Sequence, residues 1–483
     1  MEENYRNLCQ VFTPTENVKQ LLNWCGYTDN LYGKKIIENS CGDGSILKEV
    51  VRRYIEDCLK TGISKLEIEK GLSNDIYAIE YDELQYKKCI KNLDIIVKEY
   101  QLDKIKWKNI KNEDALLKFY EGKFDYVVGN PPYIKYKSLS LKDREYIRDN
   151  FETCKKGKFD YCYAFIESSI KALKSGGKMA YLIPSSIFKN VFANELRDFI
   201  KPHITKIYDY TIIKLFDKST NDKGTDRLVS SVIMIIEKNS NNNNLEYIDI
   251  NKQETINIEK IDLENKWVFR KKSKNERKEN RFGDYFYASN TIATLYNNAY
   301  VIKNYTEDDK YIYPQIGGMI EKQVLKDTIS PKTFNKGINE KIIFPYYYNR
   351  KNELVRYNTE EFEEKFPNAC NYLRRFENRL ERRKSDKNAR WFEYGRSQAL
   401  KNNNNKKLLL STVITDQVKT KILSKNNIPY SGIYIIPIEN KTLDEAEKIL
   451  KSKEFFEYIE GKGINASGNS LRITSKDINE YMF

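Results

Sequence analysis

FDYVVGNPPYIKY, residues 124–136, decides how the rest of this chain is interpreted. Its apolar run, Tyr126 to Val128, predicts a buried strand that ends at Gly129. The Asn130-Pro131-Pro132-Tyr133 that follows offers two hydrogen-bond acceptors, the Asn130 carboxamide oxygen and the Pro131 carbonyl. Consecutive prolines fix φ and keep these acceptors oriented, and Tyr133 adds a flat face for stacking. The loop predicts a site for an exocyclic amine on a planar ring, although Asn-Pro is also a common loop opening.

Strand and helix patterns alternate on both sides of this loop. Strand patterns occupy 34–40, 75–82, the part of 105–116 that precedes Asp114, 126–128, 178–186, 204–210 and 230–238. This order predicts an α/β fold with a Rossmann-like, doubly wound, mostly parallel seven-stranded sheet, whose last two strands form a hairpin at one edge. The alternation fades near residue 245. We therefore predict a catalytic domain over 1–245 and an α+β domain over 246–483.

Other candidate binding residues also follow predicted strands. Cys41-Gly42-Asp43-Gly44-Ser45 joins a strand to a helix, as loops that bring backbone N–H groups to a ligand do. Glu80 and Asp82 end the next strand, where an acid can accept ribose hydroxyls. Asp114 follows the third strand. Each pattern alone also fits a plain turn or a helix cap.

Composition excludes several classes of protein. The 483 residues contain one histidine, His203, which disfavours Ser-His-Asp or Cys-His catalysis and histidine-rich metal sites. The eight cysteines form no CxxC pair, which fits reduced thiols in a cytoplasmic protein. We expect no membrane span, since no run of 18 apolar residues occurs, and the start MEENYRNLCQ is unlike a secretory signal.

The charge pattern favours a polyanionic partner. The formal net charge is +14, and two basic runs lie in the second half. Residues 270–281 hold seven Lys/Arg against two acids, and residues 374–390 hold eight against three. A charge run is usually a solvated helix face, but Phe376, Trp391 and Tyr394 lie within or beside the second run. The combination favours a nucleic-acid surface.

The order of these motifs resembles the gamma-class adenine-N6 DNA methyltransferases of the TaqI and Eco57I type. In that class the cofactor motif precedes Asn-Pro-Pro-Tyr, and a target-recognition domain follows. The matching residues are Phe12-Thr13-Pro14, Glu38 to Gly44, Glu80, Asp114 and Asn130 to Tyr133. Residues 291–302, 340–350 and 390–398 are similar to recognition-domain segments of the group.

The resemblance implies S-adenosylmethionine as methyl donor and the following site residues. Asn130, Pro131, Pro132 and Tyr133 are the catalytic candidates, with Tyr133 stacking on the target base. Thr13 and the Glu38–Gly44 loop bind the methionine end, Glu80 the ribose and Asp114 the adenine of the cofactor. The full cofactor set is Phe12, Thr13, Pro14, Glu38, Ser40, Cys41, Gly42, Asp43, Gly44, Glu80, Tyr81, Asp114, Ala115 and Asn130.

A second aromatic on the other face of the base is expected after the fifth strand. Counted from Pro184, its position falls on Ala193, so Phe188 and Phe192 are the neighbouring candidates. The remaining DNA-binding candidates are Arg382, Arg383, Arg390, Trp391 and Arg396.

The expected partner is double-stranded DNA, bound by a monomer without a metal, with a separately encoded restriction endonuclease as a further possible partner. We expect modification without cleavage, since no nuclease pattern precedes the cofactor motif. Cytosine-N4 transfer uses the same kind of loop, and so does methylation of a glutamine amide in a translation factor. A nucleic-acid-binding protein with a decayed methyltransferase fold is a further alternative. The recognition sequence does not follow from the chain.

Overall fold

A nine-stranded sheet organises the first of two compact units, Met1–Ser273 and Lys274–Phe483. The computed structural model describes residues 15–210, 231–269, 279–334, 339–397, 399–467 and 470–483. The strands of the first unit are β1 Ile36–Glu38, β2 Ile76–Glu80, β3 Ile110–Asn112, β4 Phe124–Gly129, β5 Leu173–Pro184, β6 Ile204–Asp209, β7 Ser231–Glu237, β8 Asn244–Asp249 and β9 Glu254–Glu259. Its helices are α1 Thr15–Cys25, α2 Ser45–Lys60, α3 Lys65–Asp75, α4 Glu83–Glu99, α5 Leu141–Asn150, α6 Cys162–Ala172 and α7 Asn194–Ile200.

The sheet has the order β3-β2-β1-β4-β5-β7-β6-β8-β9. The pairs from β3 to β5 are all parallel, and β7 runs antiparallel between β5 and β6. Apolar side chains pack on both faces, as expected for parallel strands connected by helices. The predicted α/β class with a mostly parallel sheet is confirmed.

The far edge of the sheet differs from the prediction. β6 and β7 do pair antiparallel, but β8 and β9 extend the sheet beyond them. The predicted domain boundary at 245/246 falls inside β8, and the first unit continues to Ser273. The boundary was placed where the alternation of strands and helices fades near residue 245, whereas β8 pairs with β6 and β9 pairs with β8, so the sheet continues past that point.

The end of the first unit packs onto its own core. The backbone N–H of Trp267 donates to the Phe188 carbonyl at 2.8 Å, and the two rings stack with their centroids 5.6 Å apart. Phe269 stacks on Tyr247 of β8 at 4.6 Å. Residues 260–269 therefore belong structurally to the first unit.

The second unit combines small antiparallel sheets with short helices. Its strands are β10 Phe286–Asn290, β11 Val301–Ile302, β12 Tyr305–Glu307, β13 Tyr311–Pro314, β14 Ile320–Glu321, β15 Leu325–Thr328, β16 Glu340–Ile343, β17 Tyr346–Tyr348, β18 Leu354–Arg356, β19 Lys407–Leu410, β20 Val413–Ile414, β21 Thr420–Leu423, β22 Ile433–Pro437, β23 Ile464–Ser467 and β24 Ser470–Arg472. Its helices are α8 Phe282–Tyr285, α9 Asn297–Tyr300, α10 Thr359–Lys365, α11 Pro367–Arg374, α12 Glu377–Glu381, α13 Leu443–Leu450, α14 Lys453–Lys462 and α15 Ser475–Asn479. It is an α+β unit with two hydrophobic clusters of its own.

Candidate active site

A cavity that is partly open to solvent lies where β1, β2, β3 and β4 end. Parallel strands place their carboxyl ends at one edge of a sheet, and α/β proteins bind ligands there. Its lining comprises Glu38–Asp43, Ser45, Ile46, Glu80–Asp82, Gln85, Glu113–Ala115, Asn130–Ile134, Tyr161 and Phe165. The cavity therefore brings together all the described cofactor candidates except Gly44, with the four catalytic candidates. Phe12, Thr13 and Pro14 lie outside the described residues.

The loop between β1 and α2 forms one wall of the cavity. The Gly42 N–H donates to Glu80 Oε2 at 2.8 Å, and Ser45 donates to Asp43 Oδ1 through both its N–H and its hydroxyl. Gly44 has φ +84, and a β-carbon there would lie 2.8 Å from Cys89 Sγ. The position thus requires glycine for its backbone conformation and for its contact with α4.

Glu38 carries an unusual buried carboxyl. Its side chain is 2% exposed, and the described residues supply no hydrogen-bond donor to Oε2. Burial, with the nearby Cys89, Glu80 and Asp43, raises the pKa of the Glu38 carboxyl well above its usual range. A cationic donor entering the cavity would satisfy this oxygen and stabilise its ionised form.

The cavity is acidic although the chain is basic. Six carboxyl groups line it, from Glu38, Asp43, Glu80, Asp82, Glu113 and Asp114. Glu80 accepts the N–H groups of Gly42 and Asp82, each at 2.8 Å, and burial raises the pKa of its carboxyl. Asp114 caps the turn after β3, with Oδ1 accepting from the Leu116 N–H at 3.0 Å. The surroundings favour a ligand with positive charge and several donors.

The Asn130–Tyr133 loop leaves β4 at the same edge. The Ser40 hydroxyl donates to the Asn130 carbonyl at 3.4 Å, which joins this loop to the loop after β1. The Tyr133 hydroxyl lies 2.6 Å from Asn130 Oδ1 and 2.5 Å from the Leu182 carbonyl oxygen on β5. Burial, with Cys162 and Asp160 nearby, raises the pKa of the Tyr133 phenol well above its usual range, so the hydroxyl keeps its proton and donates. The loop is thus held at Asn130 by the Ser40 hydroxyl and at Tyr133 by the Leu182 carbonyl.

The structure separates the two candidates for a second aromatic. Phe188 is 1% exposed and packs against Trp267 and Phe269, so this prediction is wrong: its ring belongs to the core. Ala193 is fully buried. Phe192 is 38% exposed and remains available to a ligand.

Tyr161 and Phe165 were not among the predicted site residues. They lie one helical turn apart at the start of α6, with ring centroids 5.3 Å apart, and both line the cavity. Tyr161 is anchored beside the Asn130–Tyr133 loop, because its backbone N–H donates to the Ile134 carbonyl at 2.9 Å. The available signal was the pair of aromatics at i, i+4 spacing after a basic segment, a pattern that more often marks core packing.

In the second unit, Arg383 was predicted to bind DNA, and the structure contradicts this. Its guanidinium donates to the carbonyls of Leu380, Thr294, Trp391 and Glu393 and to the Tyr300 hydroxyl. Because the donors are used inside the unit, Arg383 cannot contact a phosphate without breaking this network.

The other predicted side chains of this surface remain partly accessible. Arg390 pairs with buried Glu393 at 3.4 Å, and Arg396 pairs with Asp386 at 2.7 Å. Trp391 is half-buried beneath the Arg374 guanidinium, 5.1 Å from the ring centre. Arg382 is exposed, and no ion pair is recorded for it in the described part of the chain. Of the first basic run, residues 270–278 lie outside the described residues.

Two kinds of feature are absent from the described residues. None of the described helices is long and apolar enough to cross a membrane. No group of three or more His, Cys, Asp or Glu side chains in the described ranges is arranged to hold a metal ion. His203 has a structural contact, since its Nδ1 accepts from the Asn239 N–H at 3.1 Å.

The structure thus combines a mostly parallel sheet with an acidic cavity and an Asn-Pro-Pro-Tyr loop at its carboxyl edge. Comparison with known proteins specifies the class of protein. Residues 31–216 match the family described as Eco57I restriction-modification methylase. The predicted resemblance is thereby confirmed.

Two curated proteins with similar sequences are named as a methyltransferase and a methylase. The chain is 27% identical over 199 residues to the type II methyltransferase M.PaeR7I of Pseudomonas aeruginosa, over 39% of this chain and 34% of that protein. It is 32% identical over 223 residues to the modification methylase CviBIII of Paramecium bursaria Chlorella virus NC1A, over 46% of this chain and 48% of the relative. The chain thus spans less than half the length of these relatives.

A solved structure extends the likeness to most of the chain. The type IIL restriction-modification enzyme MmeI, solved in complex with DNA, superposes with a TM-score of 0.64 over 96% of this chain and 64% of its own. At 13% identity, this match shows a shared fold.

Proposed function

We propose that the chain is a site-specific DNA methyltransferase that transfers a methyl group from S-adenosylmethionine to the N6 amine of a flipped-out adenine. The observation that carries the proposal is one cavity holding both the acidic cofactor wall and the Asn130–Tyr133 loop. The family match of residues 31–216 and the relatives named methyltransferases support the DNA-modifying class. The choice of adenine rests on the motif.

The residues present fit S-adenosylmethionine. This cofactor carries an ammonium and a sulfonium, so its positive charge suits a cavity lined by six carboxyl groups. Glu38 Oε2 is buried without a described donor, and the ammonium is the donor it lacks. Glu80 would accept the ribose hydroxyls, Asp114 would lie at the adenine amine, and Tyr81 and Ala115 would line the same end. Ser40, Cys41 and Gly42 to Gly44 would contact the methionine part, with Phe12, Thr13 and Pro14 as further expected contacts.

The chain's contribution to the chemistry is positioning. When bound, the cofactor supplies a methyl group on a positively charged sulfur, and transfer to nitrogen is an in-line displacement. Asn130 Oδ1 and the Pro131 carbonyl would accept the two amine hydrogens and so direct the nitrogen lone pair. Pro131 fixes φ between the two acceptors, and Pro132 fixes φ of the residue that follows them. Well-oriented reactants contribute about 7–11 kcal/mol to such a step.

The base must leave the duplex to reach this loop. Unstacking costs a few kcal/mol, and stacking on an aromatic ring returns about 1–3 kcal/mol. The Tyr133 ring on one face and the exposed Phe192 on the other are the proposed platforms. Arg382, Arg390, Trp391 and Arg396 of the second unit are proposed to contact the DNA, with Arg383 supporting them from within. Monomeric binding and a separate endonuclease partner are part of the same proposal.

Single-molecule sequencing of DNA from a methylation-free host that expresses the chain tests the proposal. We expect N6-methyladenine at one short motif, and its loss in Asn130→Ala because the amine acceptor is removed. Asn74→Ala, an exposed asparagine before β2 at the opposite edge of the sheet, is the matched control and should methylate normally. N4-methylcytosine would contradict the choice of base. No methylated base from a folded protein that binds S-adenosylmethionine would contradict DNA as substrate and favour a protein amide.

A further inference from the structure

A short basic turn lies beside the Asn130–Tyr133 loop and is not among the proposed cofactor-binding or DNA-binding residues. Lys155-Lys156-Gly157-Lys158 connects a 3-10 turn, Glu152–Cys154, to buried Phe159, and all four residues are exposed. The Lys156 ammonium lies 3.6 Å from Glu195, although its side chain is 80% exposed. Within the described ranges, Lys155 and Lys158 form no recorded ion pair. Three cations within four residues repel one another, and an anionic partner would relieve this repulsion.

The turn has a defined backbone. Gly157 has φ +70, and its carbonyl accepts from Arg148 Nη2 at 3.1 Å. The same Arg148 nitrogen donates to the Tyr136 hydroxyl at 3.3 Å, and its guanidinium lies 5.6 Å from the centre of the Tyr136 ring. Because Tyr136 follows the catalytic loop by three residues, Arg148 connects the basic turn to the segment that leaves the active site.

An exposed aromatic is fixed against the turn. A β-carbon at Gly157 would lie 2.6 Å from Phe192 Cδ1, so glycine permits the ring to approach. The Phe192 N–H is capped by Asn190 Oδ1 at 3.1 Å. The Arg197 guanidinium, 1% exposed, donates to the Ile187 carbonyl at 2.7 Å and to the Asn190 carbonyl at 2.8 Å. Arg148 therefore fixes the basic turn and Arg197 fixes the turn that carries Phe192, and the two turns are in contact.

This surface adjoins the mouth of the cavity. Lys158 precedes Asp160 by two residues, and Asp160 forms a backbone bridge with Lys135. The next residue, Tyr161, lines the cavity and bonds to Ile134, which lines it too. A ligand that enters the catalytic loop from solvent would therefore meet these lysines on one side.

We propose that Lys155 and Lys158 bind the phosphates of the DNA strand on either side of the target base, next to Phe192. This rests on the proposed function. Flipping rotates a nucleotide about its own backbone, so its flanking phosphates stay at the mouth of the pocket. Lysines on a rigid turn give a sequence-independent contact that positions the strand. The site is distinct from the recognition candidates, which all lie in the second unit.

The test is the salt dependence of DNA binding by the full chain. The double variant Lys155→Gln, Lys158→Gln is compared with Lys104→Gln, Lys106→Gln, which removes the same charge from exposed lysines before β3, at the opposite edge of the sheet. The probe is a mixed-sequence duplex, and the affinity is measured over a range of salt concentrations. Each lost phosphate contact lowers the slope of log K against log salt by about 0.9, so we expect a decrease of about 1.8 in the first variant. The control should keep the wild-type slope.

Steady-state methyl transfer to genomic DNA from a methylation-free host gives a second readout. We expect the KM for DNA to rise in the turn variant, while kcat and the affinity for S-adenosylmethionine keep their wild-type values. A turn variant whose slope and KM equal those of the control overturns the phosphate contact, while wild-type methylation of DNA keeps the proposed function. A wild-type chain that neither binds duplex DNA nor methylates it overturns both.

Discussion

Arg382 and Arg383 are neighbours in the chain, but their guanidinium groups have different surroundings. Arg383 donates to four backbone carbonyls and one hydroxyl, which joins α12 to residues 294 and 391–393. Arg382 is exposed to solvent. The basic run in the sequence does not distinguish the two arginines, because burial depends on contacts with residues that are distant in the chain. Arg383 therefore stabilises the second unit, whereas Arg382 is accessible to a ligand.

Exchanging each arginine for glutamine separates these roles. In Arg383→Gln, buried carbonyls lose donors at about 1–3 kcal/mol each, so we expect the second unit to lose at least that free energy of unfolding. Arg382→Gln should change stability by no more than about 0.5 kcal/mol and lower the salt slope of DNA binding by about 0.9. Thermal unfolding and salt-dependent DNA binding measure the two effects. Equal destabilisation by both variants would contradict the difference in burial.

At the scale of elements, the loop between β1 and α2 depends on one glycine. Gly44 combines φ +84 with a contact of 2.8 Å between its would-be β-carbon and Cys89 Sγ. Gly62, at the other end of α2, has φ +77 but open space around that position. The two glycines therefore differ in packing and share the same backbone requirement.

Alanine at each glycine distinguishes strain from steric clash. Gly62→Ala should cost about 1–2 kcal/mol from the left-handed conformation alone. Gly44→Ala should cost about 1–3 kcal/mol more, because the methyl group displaces Cys89 and α4. Since the same loop lines the cavity, we also expect Gly44→Ala to weaken S-adenosylmethionine binding, which Gly62→Ala should leave unchanged. Calorimetric titration and thermal unfolding provide the comparison; equal effects of both variants would place Gly44 outside the binding loop.

The elements around the site were predictable because each carries a local signal. Apolar strands followed by Glu38, Glu80, Asp114 and Asn130 predict the order of the motifs, and parallel topology places them at one edge. The burial of Phe188 depends on the packing of Trp267, and the place of Phe165 in the cavity wall depends on the packing of α6. No local sequence pattern predicts either. The sheet edge was missed since β8 and β9 pair with each other and with β6 rather than follow the βα alternation.

For the whole molecule, two buried groups predict opposite responses of the two units to pH. Burial raises the pKa of the Asp160 carboxyl from 3.8 to about 6. The folded state then holds a proton that the unfolded chain releases, so the first unit loses stability as pH rises from about 4 to 6. Burial lowers the pKa of the Lys407 ammonium from 10.5 to about 8, although it donates to the Asn427 carbonyl at 2.8 Å. Here the unfolded chain binds the extra proton between about pH 8 and 10.5, so the second unit gains stability there.

Asp160→Asn and Lys407→Met test these responses. Each should remove a pH-dependent change on the order of 3 kcal/mol from its own unit, by about 1.36 kcal/mol per pKa unit. Scanning calorimetry of wild type and variants at several pH values measures it, with each unit's transition analysed separately. A variant whose stability curve stays parallel to the wild-type curve would show that the group titrates normally in the folded chain.

The two strands beyond β6 determine where genes of this type can be recombined. A chimaera joined near residue 245 would leave β6 as a bare edge with unpaired N–H and carbonyl groups, and Phe188 without the Trp267 ring that covers it. Such edges template aggregation. A crossover between residues 269 and 279 would transfer β8, β9 and Trp267 with the sheet they complete. Exchange of the second unit between relatives therefore has a natural joint about 30 residues later than the change in sequence pattern indicates.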